Sequence, residues 1–216
     1  MPNEKPRRGD SILFFDLETL PCSPDNPLWQ RLKSEDADRK RTALMSPLGR
    51  VWMIGWAVGS GEPQIAAGDG SPASEEAVLR EFWEAIRGLQ NPWWVGYNIE
   101  GFDIPFLQVR ALKWGMPELA RKLGPASAKP WERRQVDLAK IWPRTGADRY
   151  SWKEGVRGLG KLDTICDVLG IPRQEGLMGK DVADAWELGN HEGVSEHLRL
   201  DVVQVKALFR ELWPLL

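Results

Sequence analysis

Apolar residues in the first half of the chain come in short dense runs rather than in helical stripes. Ser11 to Phe15 (SILFF) is such a run, and its length and aromatic content predict a buried strand with Asp16 at its C-terminal end. Arg50 to Val58 (RVWMIGWAV) predicts a second strand, and Gln64 to Ala67, after a Gly-Glu-Pro turn, a third. The short connection makes these three an antiparallel meander. Residues 20 to 49 mix proline with charge and predict a connection holding one short helix near Pro27 to Arg41. From Ser74 to Arg87 the period changes: acidic residues open the segment, Ala77, Val78, Phe82 and Ile86 share a face, and Gly88 closes it, which specifies an amphipathic helix. Trp93 to Tyr97 reads as a fourth strand and Phe102 to Trp114 as the helix after it, with Pro105 tolerated in the first turn. Residues 115 to 158 read as irregular and basic, apart from a candidate fifth strand in QVDL near Val136. Helices are expected near Leu159 to Leu169, Lys180 to Leu188 and Val194 to Leu212.

Composition narrows the class. A chain of 216 residues, 42% hydrophobic, can bury a core without a disulfide or structural metal. Cys22 and Cys166 form no framework, read as reduced thiols of a cytoplasmic protein, and cannot make a zinc site by themselves. The opening MPNEKPRRGD has charges but no apolar run behind it, so neither a signal peptide nor a membrane span is expected. Residues 1 to 10 are expected to be a flexible tail before one domain, 11 to 216. A net charge of -2 argues against a general electrostatic coat for nucleic acid but leaves room for a local basic patch. Most of the 12 Trp fall inside apolar stretches and are expected in the core.

Three segments carry candidate chemistry. Asp16 and Glu18 in FFDLET are two apart, so an extended chain turns both carboxylates to one side, where a divalent cation would relieve their repulsion. GYNIEGFDIPFL places Asn98 after the fourth strand and Asp103 at the start of the next helix, a position that a plain helix cap would also explain. EHLRLDVVQVKALF puts His197 and Asp201 at i and i+4 on one helical face, which a simple His–Asp contact would also satisfy.

In their order and spacing, the three segments resemble the DEDD superfamily of ribonuclease-H-like 3′-to-5′ exonucleases. The resemblance is strongest to the exonuclease domains of family B DNA polymerases and their stand-alone relatives. FFDLET is similar to the family's first motif, GYNIEGFDIPFL to its second and HLRLD to its third. ALMSPLGRVWMIGWAV, QVDL and KLDTICDVLGIP extend the likeness over nearly the whole chain from Ser11. The resemblance implies an α/β, ribonuclease-H-like fold. Its mixed five-stranded sheet would have three antiparallel strands, the others parallel to the first, and helices on both faces. It implies Asp16, Glu18, Asp103 and Asp201 as ligands of two Mg²⁺ or Mn²⁺ ions about 4 Å apart, one activating a water that would attack a terminal phosphodiester and the other stabilising the leaving 3′ oxygen, so that nucleoside monophosphates are released. His197 would be a fifth catalytic residue, standing at the spacing of the Tyr branch, four residues before the last Asp, rather than at that of the His branch.

The substrate implied is single-stranded or frayed DNA. RNA 3′ ends and an idle nucleic-acid-binding module are alternatives, and a polymerase would have to come from a partner. Leu17, Thr19, Asn98 and Phe102, which flank the carboxylates, are expected against the terminal nucleotide. Basic residues interleaved with aromatics suit phosphates and unpaired bases, which selects KPWERR at 129 to 134 and RYSWKEGVRGLGK at 149 to 161, with Trp152 and Lys161 as contacts. Gly155 to Lys161 fits the start of a phosphate-binding loop, but Leu162 stands where Ser or Thr is required. His191 reads as a turn residue.

Overall fold

β1 (Ile12–Leu20) is the central strand, and it does not end at Asp16 as the apolar run suggested. In the computed structural model, which describes residues 5–7, 9–124, 134–144, 158–172, 177 and 181–216, the strand runs through both acids. The reason is the pairing with β2 (Arg50–Val58), which continues antiparallel through Asp16↔Gly55, Leu17↔Ile54 and Glu18↔Met53 before a register shift between Glu18 and Thr19. Leu13, Phe15 and Leu17 face one core, Phe14 and Leu20 the other side, and the two acids take apolar places in that second row.

β3 (Gln64–Ala67) extends the antiparallel part, whereas β4 (Trp93–Gly96) and β5 (Gln135–Asp137) run parallel, giving the order β3-β2-β1-β4-β5. The mixed five-stranded α/β sheet expected from the sequence is therefore present. One face is covered by α2 (Pro72–Ile86), α3 (Asp103–Lys113) and α4 (Pro117–Lys122), whose Phe82, Leu107 and Leu119 pack with Phe15 and Trp94.

The opposite face carries the rest. α6 (Leu162–Leu169), α7 (Val182–Glu187) and the long α8 (His191–Leu212) bury Ile165, Val182, Leu198 and Val202 there. α5 (Leu138–Ile141) is a single turn after β5.

Several boundaries differ from the sequence reading. The expected helix near Pro27 to Arg41 is split into α1 (Pro27–Leu32) and a 3₁₀ helix at Arg39–Leu44, because Lys33 is extended and exposed polar residues follow it. α2 starts at Pro72 because Ser71, not Ser74, caps it, its Oγ accepting the Ser74 N–H at 3.1 Å. α8 starts at His191 because the Asn190 side chain accepts the Gly193 N–H. His191 is thus a helical residue rather than a turn residue, its ring edge-on to Trp52 at 5.3 Å. α4 and α5 fall inside the stretch read as irregular, being too short to show a period.

Candidate active site

β4 pairs with β1 only as far as Phe14↔Val95, so beyond that point β1 has an open edge. The chain leaves β4 at once: a Cβ on Gly96 would stand 2.2 Å from Ile99 Cγ2 and 2.9 Å from the Phe15 carbonyl, so this turn needs glycine. Asn98 then adopts φ 61°, and Asp137 at the end of β5 holds the loop. Its Oδ1 accepts the N–H of Asn98 (2.8 Å) and of Ala139 (3.1 Å), and its Oδ2 accepts that of Glu100 (3.2 Å). The loop so fixed delivers Asp103 as the first residue of α3, 2% exposed. Asp103 makes no cap bond, the cap position being Phe102, so its carboxyl is left to face Asp16, within hydrogen-bonding reach.

From the other side comes α8. Gly55, the β2 partner of Asp16, makes its approach possible: a Cβ there would be 2.8 Å from Leu198 Cγ and 3.0 Å from Val202 Cγ2. With that space free, His197 and Asp201 lie one turn apart against β1. His197 Nε2 is 3.4 Å from Asp201 Oδ2 and 3.8 Å from Glu18 Oε1, and the donor atoms of these three residues fall within 4.8 Å of one another.

The electrostatics are those of a cluster without a counter-charge. Burial, then the Asp201 charge, pushes Asp16 up to about 7, and burial with Asp163 nearby takes Asp201 to about 7 as well. Glu18 is raised well above its ordinary value by burial, then by Asp16, Asp201 and Asp103; Asp103 is raised by burial, then by Asp16. Burial lowers His197, against the pull of Asp16 and Asp163, and so favours the neutral imidazole. Asp103 Oδ1 is buried with no hydrogen-bond partner, an expensive arrangement for a carboxylate oxygen that is left alone.

A cavity of about 480 Å³ opens over Asp16, Glu18, His197 and Asp201, while Asp103, buried beside Asp16, is not on its lining. Of the residues expected to touch substrate, Leu17, Thr19 and Phe102 line it, together with Asp16, Glu18, His197 and Asp201. Asn98 and Lys161 do not: Asn98 is exposed in the turn after β4, and Lys161 is the exposed residue at the start of α6. Trp152, Trp131 and Tyr150 lie outside the described residues, as do residues 155 to 157 of the glycine-rich segment at 155 to 161. The sequence reading missed four charged residues on the lining, Lys40, Arg41, Asp163 and Asp184. Asp163 sits in the first turn of α6 within KLDTICDVLG, a placement that could have marked it.

A parallel–antiparallel sheet carrying paired acids on its central strand, a third on the helix after β4 and a fourth on the last helix can be compared with known proteins. Residues 46–212 match the family described as predicted 3′–5′ exonuclease related to the exonuclease domain of PolB. The chain belongs to this family.

Among individual relatives of this PolB-exonuclease-related chain, it is 26% identical over 144 residues to a DNA polymerase of Archaeoglobus fulgidus, and 25% over 150 residues to one of Pyrococcus glycovorans. Those alignments take in 65% and 66% of this chain but only 18% and 19% of the polymerases. The family B DNA polymerase structure from the hyperthermophilic archaeon Pyrobaculum calidifontis superposes on 94% of the chain and 24% of that polymerase, with a TM-score of 0.63 and 21% identity, and so shares its fold. The family match begins after β1, so Asp16 and Glu18 enter the site by geometry. No helix among the described residues is long and apolar enough to cross a membrane.

Proposed function

We propose that the protein is a metal-dependent 3′-to-5′ exonuclease acting on single-stranded or frayed DNA. The observation that carries this is the convergence of Asp16, Glu18 and Asp201 on one cavity, with Asp103, from a third element, buried against Asp16, all four raised in pKa and Asp103 Oδ1 lacking any partner. Such a set of hard oxygen donors fits divalent cations, and two Mg²⁺ or Mn²⁺ ions suit the number of carboxylates. The chemistry that these ions supply when bound is neutralisation of the phosphate and acidification of the attacking water.

The chain's own residues do the rest. Asp16 and Glu18, fixed on a strand, and Asp103 and Asp201, fixed on helices, would set where the scissile phosphate lies without loop motion. His197, neutral and 12% exposed at its side chain, faces both Glu18 and Asp201, so it can take a proton from, or orient, a water beside them. Leu17, Thr19 and Phe102 form cavity wall against which the terminal nucleotide can lie. RNA 3′ ends would fit the same chemistry, and the choice between polymers rests on 2′-hydroxyl contacts.

The experiment is incubation of 5′-labelled single-stranded DNA and RNA with Mg²⁺, Mn²⁺ or EDTA, with Asp16→Ala and His197→Ala proteins alongside. A metal-dependent ladder shortening from the 3′ end, absent with Asp16→Ala, is expected. Binding without cleavage would replace the enzyme with an idle nucleic-acid-binding module, and full activity of His197→Ala would remove His197 from the chemistry.

A further inference from the structure

The cavity wall opposite α8 belongs to the connection between β1 and β2, which the chemistry above does not use. Its 3₁₀ helix is bolted to the end of β1. Thr19 Oγ1 donates to the Ala43 carbonyl at 2.8 Å, Thr42 Oγ1 donates to Arg39 O at 2.7 Å and accepts the Cys22 N–H at 3.0 Å, and Arg39 Nη1 donates to Cys22 O at 2.8 Å. Asp38 Oδ1 accepts the Lys40 N–H at 2.9 Å and caps the turn. Lys40 and Arg41 are therefore held on the cavity that the carboxylates of β1 also line, and among the described residues they are the only Lys or Arg on that lining.

Their ion-pairing states differ. Lys40 Nζ meets Asp184 Oδ1 of α7 at 2.5 Å, but both side chains are more than half exposed, a setting in which an ion pair contributes little. Arg41 is exposed, and its side chain has no ion pair or hydrogen bond among the described residues. The rest of the charged lining is acidic. A phosphodiester strand carries one negative charge per residue, and cations bound by the carboxylates would be largely spent in cancelling those carboxylates. Drawing the strand in takes additional positive charge beside the site.

We infer that Lys40 and Arg41 form a subsite for a non-scissile phosphate of a single-stranded nucleic acid, with Asp184 holding the place on Lys40 that the phosphate takes. This rests on the exonuclease reading of the cavity. Exchange of one half-exposed anion for another leaves Lys40 paired in both states, while Arg41 gains its first partner, with the planar donors to grip two phosphate oxygens.

The test compares a 5′-labelled oligothymidylate, which has many phosphates, with a dinucleotide, which has only the scissile one. For Arg41→Ala, KM for the oligomer should rise about fivefold, and the slope of log kcat/KM against log salt should lose about 0.7, as for one released single-strand counterion. On the dinucleotide the effect should shrink below about twofold, and Arg41→Lys should restore much of the oligomer's KM. Asp184→Asn should leave KM for the oligomer equal or lower. Equal losses on both substrates, no loss on either, or a raised KM in Asp184→Asn would overturn the subsite. If the parent protein cleaves neither substrate, the exonuclease reading fails by itself. The subsite is then decided by anisotropy of the labelled oligomer, for which Arg41→Ala must weaken binding and flatten its salt dependence.

Discussion

Two buried acidic centres lie on opposite faces of the same sheet, and they are finished differently. On the α2 face, Glu75 is 1% exposed, and both its oxygens are taken. Arg110 donates Nε at 2.7 Å and Nη2 at 2.6 Å, the Val51 N–H adds a bond of 2.8 Å, and Trp114 Nε1 one of 2.8 Å. Burial alone would raise Glu75, but Arg110, with Trp114 and the Val51 amide, holds it below its ordinary value. Where α8 crosses β1 four carboxyls meet, none has a Lys or Arg ion-pair partner among the described residues, and every one is raised. A folded chain that needs a charge inside supplies its partner; where it withholds the partner, the charge is there for something that arrives later.

The largest separation between the two centres is expected from single substitutions. Asp16→Asn should cut exonuclease activity at least about a thousandfold, since in the proposed mechanism it removes a ligand of the catalytic ions. The metal-free protein should at the same time gain on the order of 1–2 kcal/mol at pH 8, because a repelling charge is gone. Arg110→Met should do the reverse, costing about 3–5 kcal/mol by stranding Glu75, and lowering Tm by about 10 °C. Activity per folded molecule should survive, because Arg110 is remote from the cavity lining. Thermal melts read beside the nuclease assay decide this: a destabilised Asp16→Asn or an inactive, fully folded Arg110→Met would erase the contrast.

A smaller effect should appear in the pH dependence without metal. Asp16 and Asp201 titrate near 7 when folded and near the ordinary aspartate value of about 4 when unfolded. Between those values the folded protein holds protons that the unfolded chain has lost, so their contribution is full below about pH 4 and is lost as pH rises toward and through 7. Glu75, lowered, contributes in the opposite sense, its stabilisation disappearing as pH falls below the carboxylate range. Mn²⁺ or Mg²⁺ at about a hundred times its Kd should raise Tm by roughly 5–10 °C at pH 8 and by clearly less at pH 5, where protons compete. An equal rise at both pH values would mean that the ion binds elsewhere.

Much of this was legible in the sequence because the relevant signals are local. The strand runs at 50–58 and 93–97, the helix whose stripe includes Phe82, and the D-x-E on the first apolar run all declare themselves within a few residues. The site's remaining parts are matters of distance in space. Nothing near Lys40 or Arg41 has a period, so only the bonds from Thr19 and Thr42 place them at the cavity. Asp137 ends the short QVDL strand, but its two amide hydrogen bonds to the loop before α3 join residues 37 and 39 positions apart. Asn98 was misplaced for the same reason: its left-handed backbone turns it out of the cavity lining, a result of how sharply the chain leaves Gly96.

Gly55 sets the gauge of the site. Because it is paired with Asp16, any side chain at that position would act as a shim between the sheet and α8, lifting His197 and Asp201 away while leaving every carboxylate in the sequence. A relative with all four acids and a bulky residue at this place would look complete in a motif search yet hold its ligands too far apart. For this fold, the integrity of the carboxylate cluster is recorded as much in one missing methyl group as in the acids themselves.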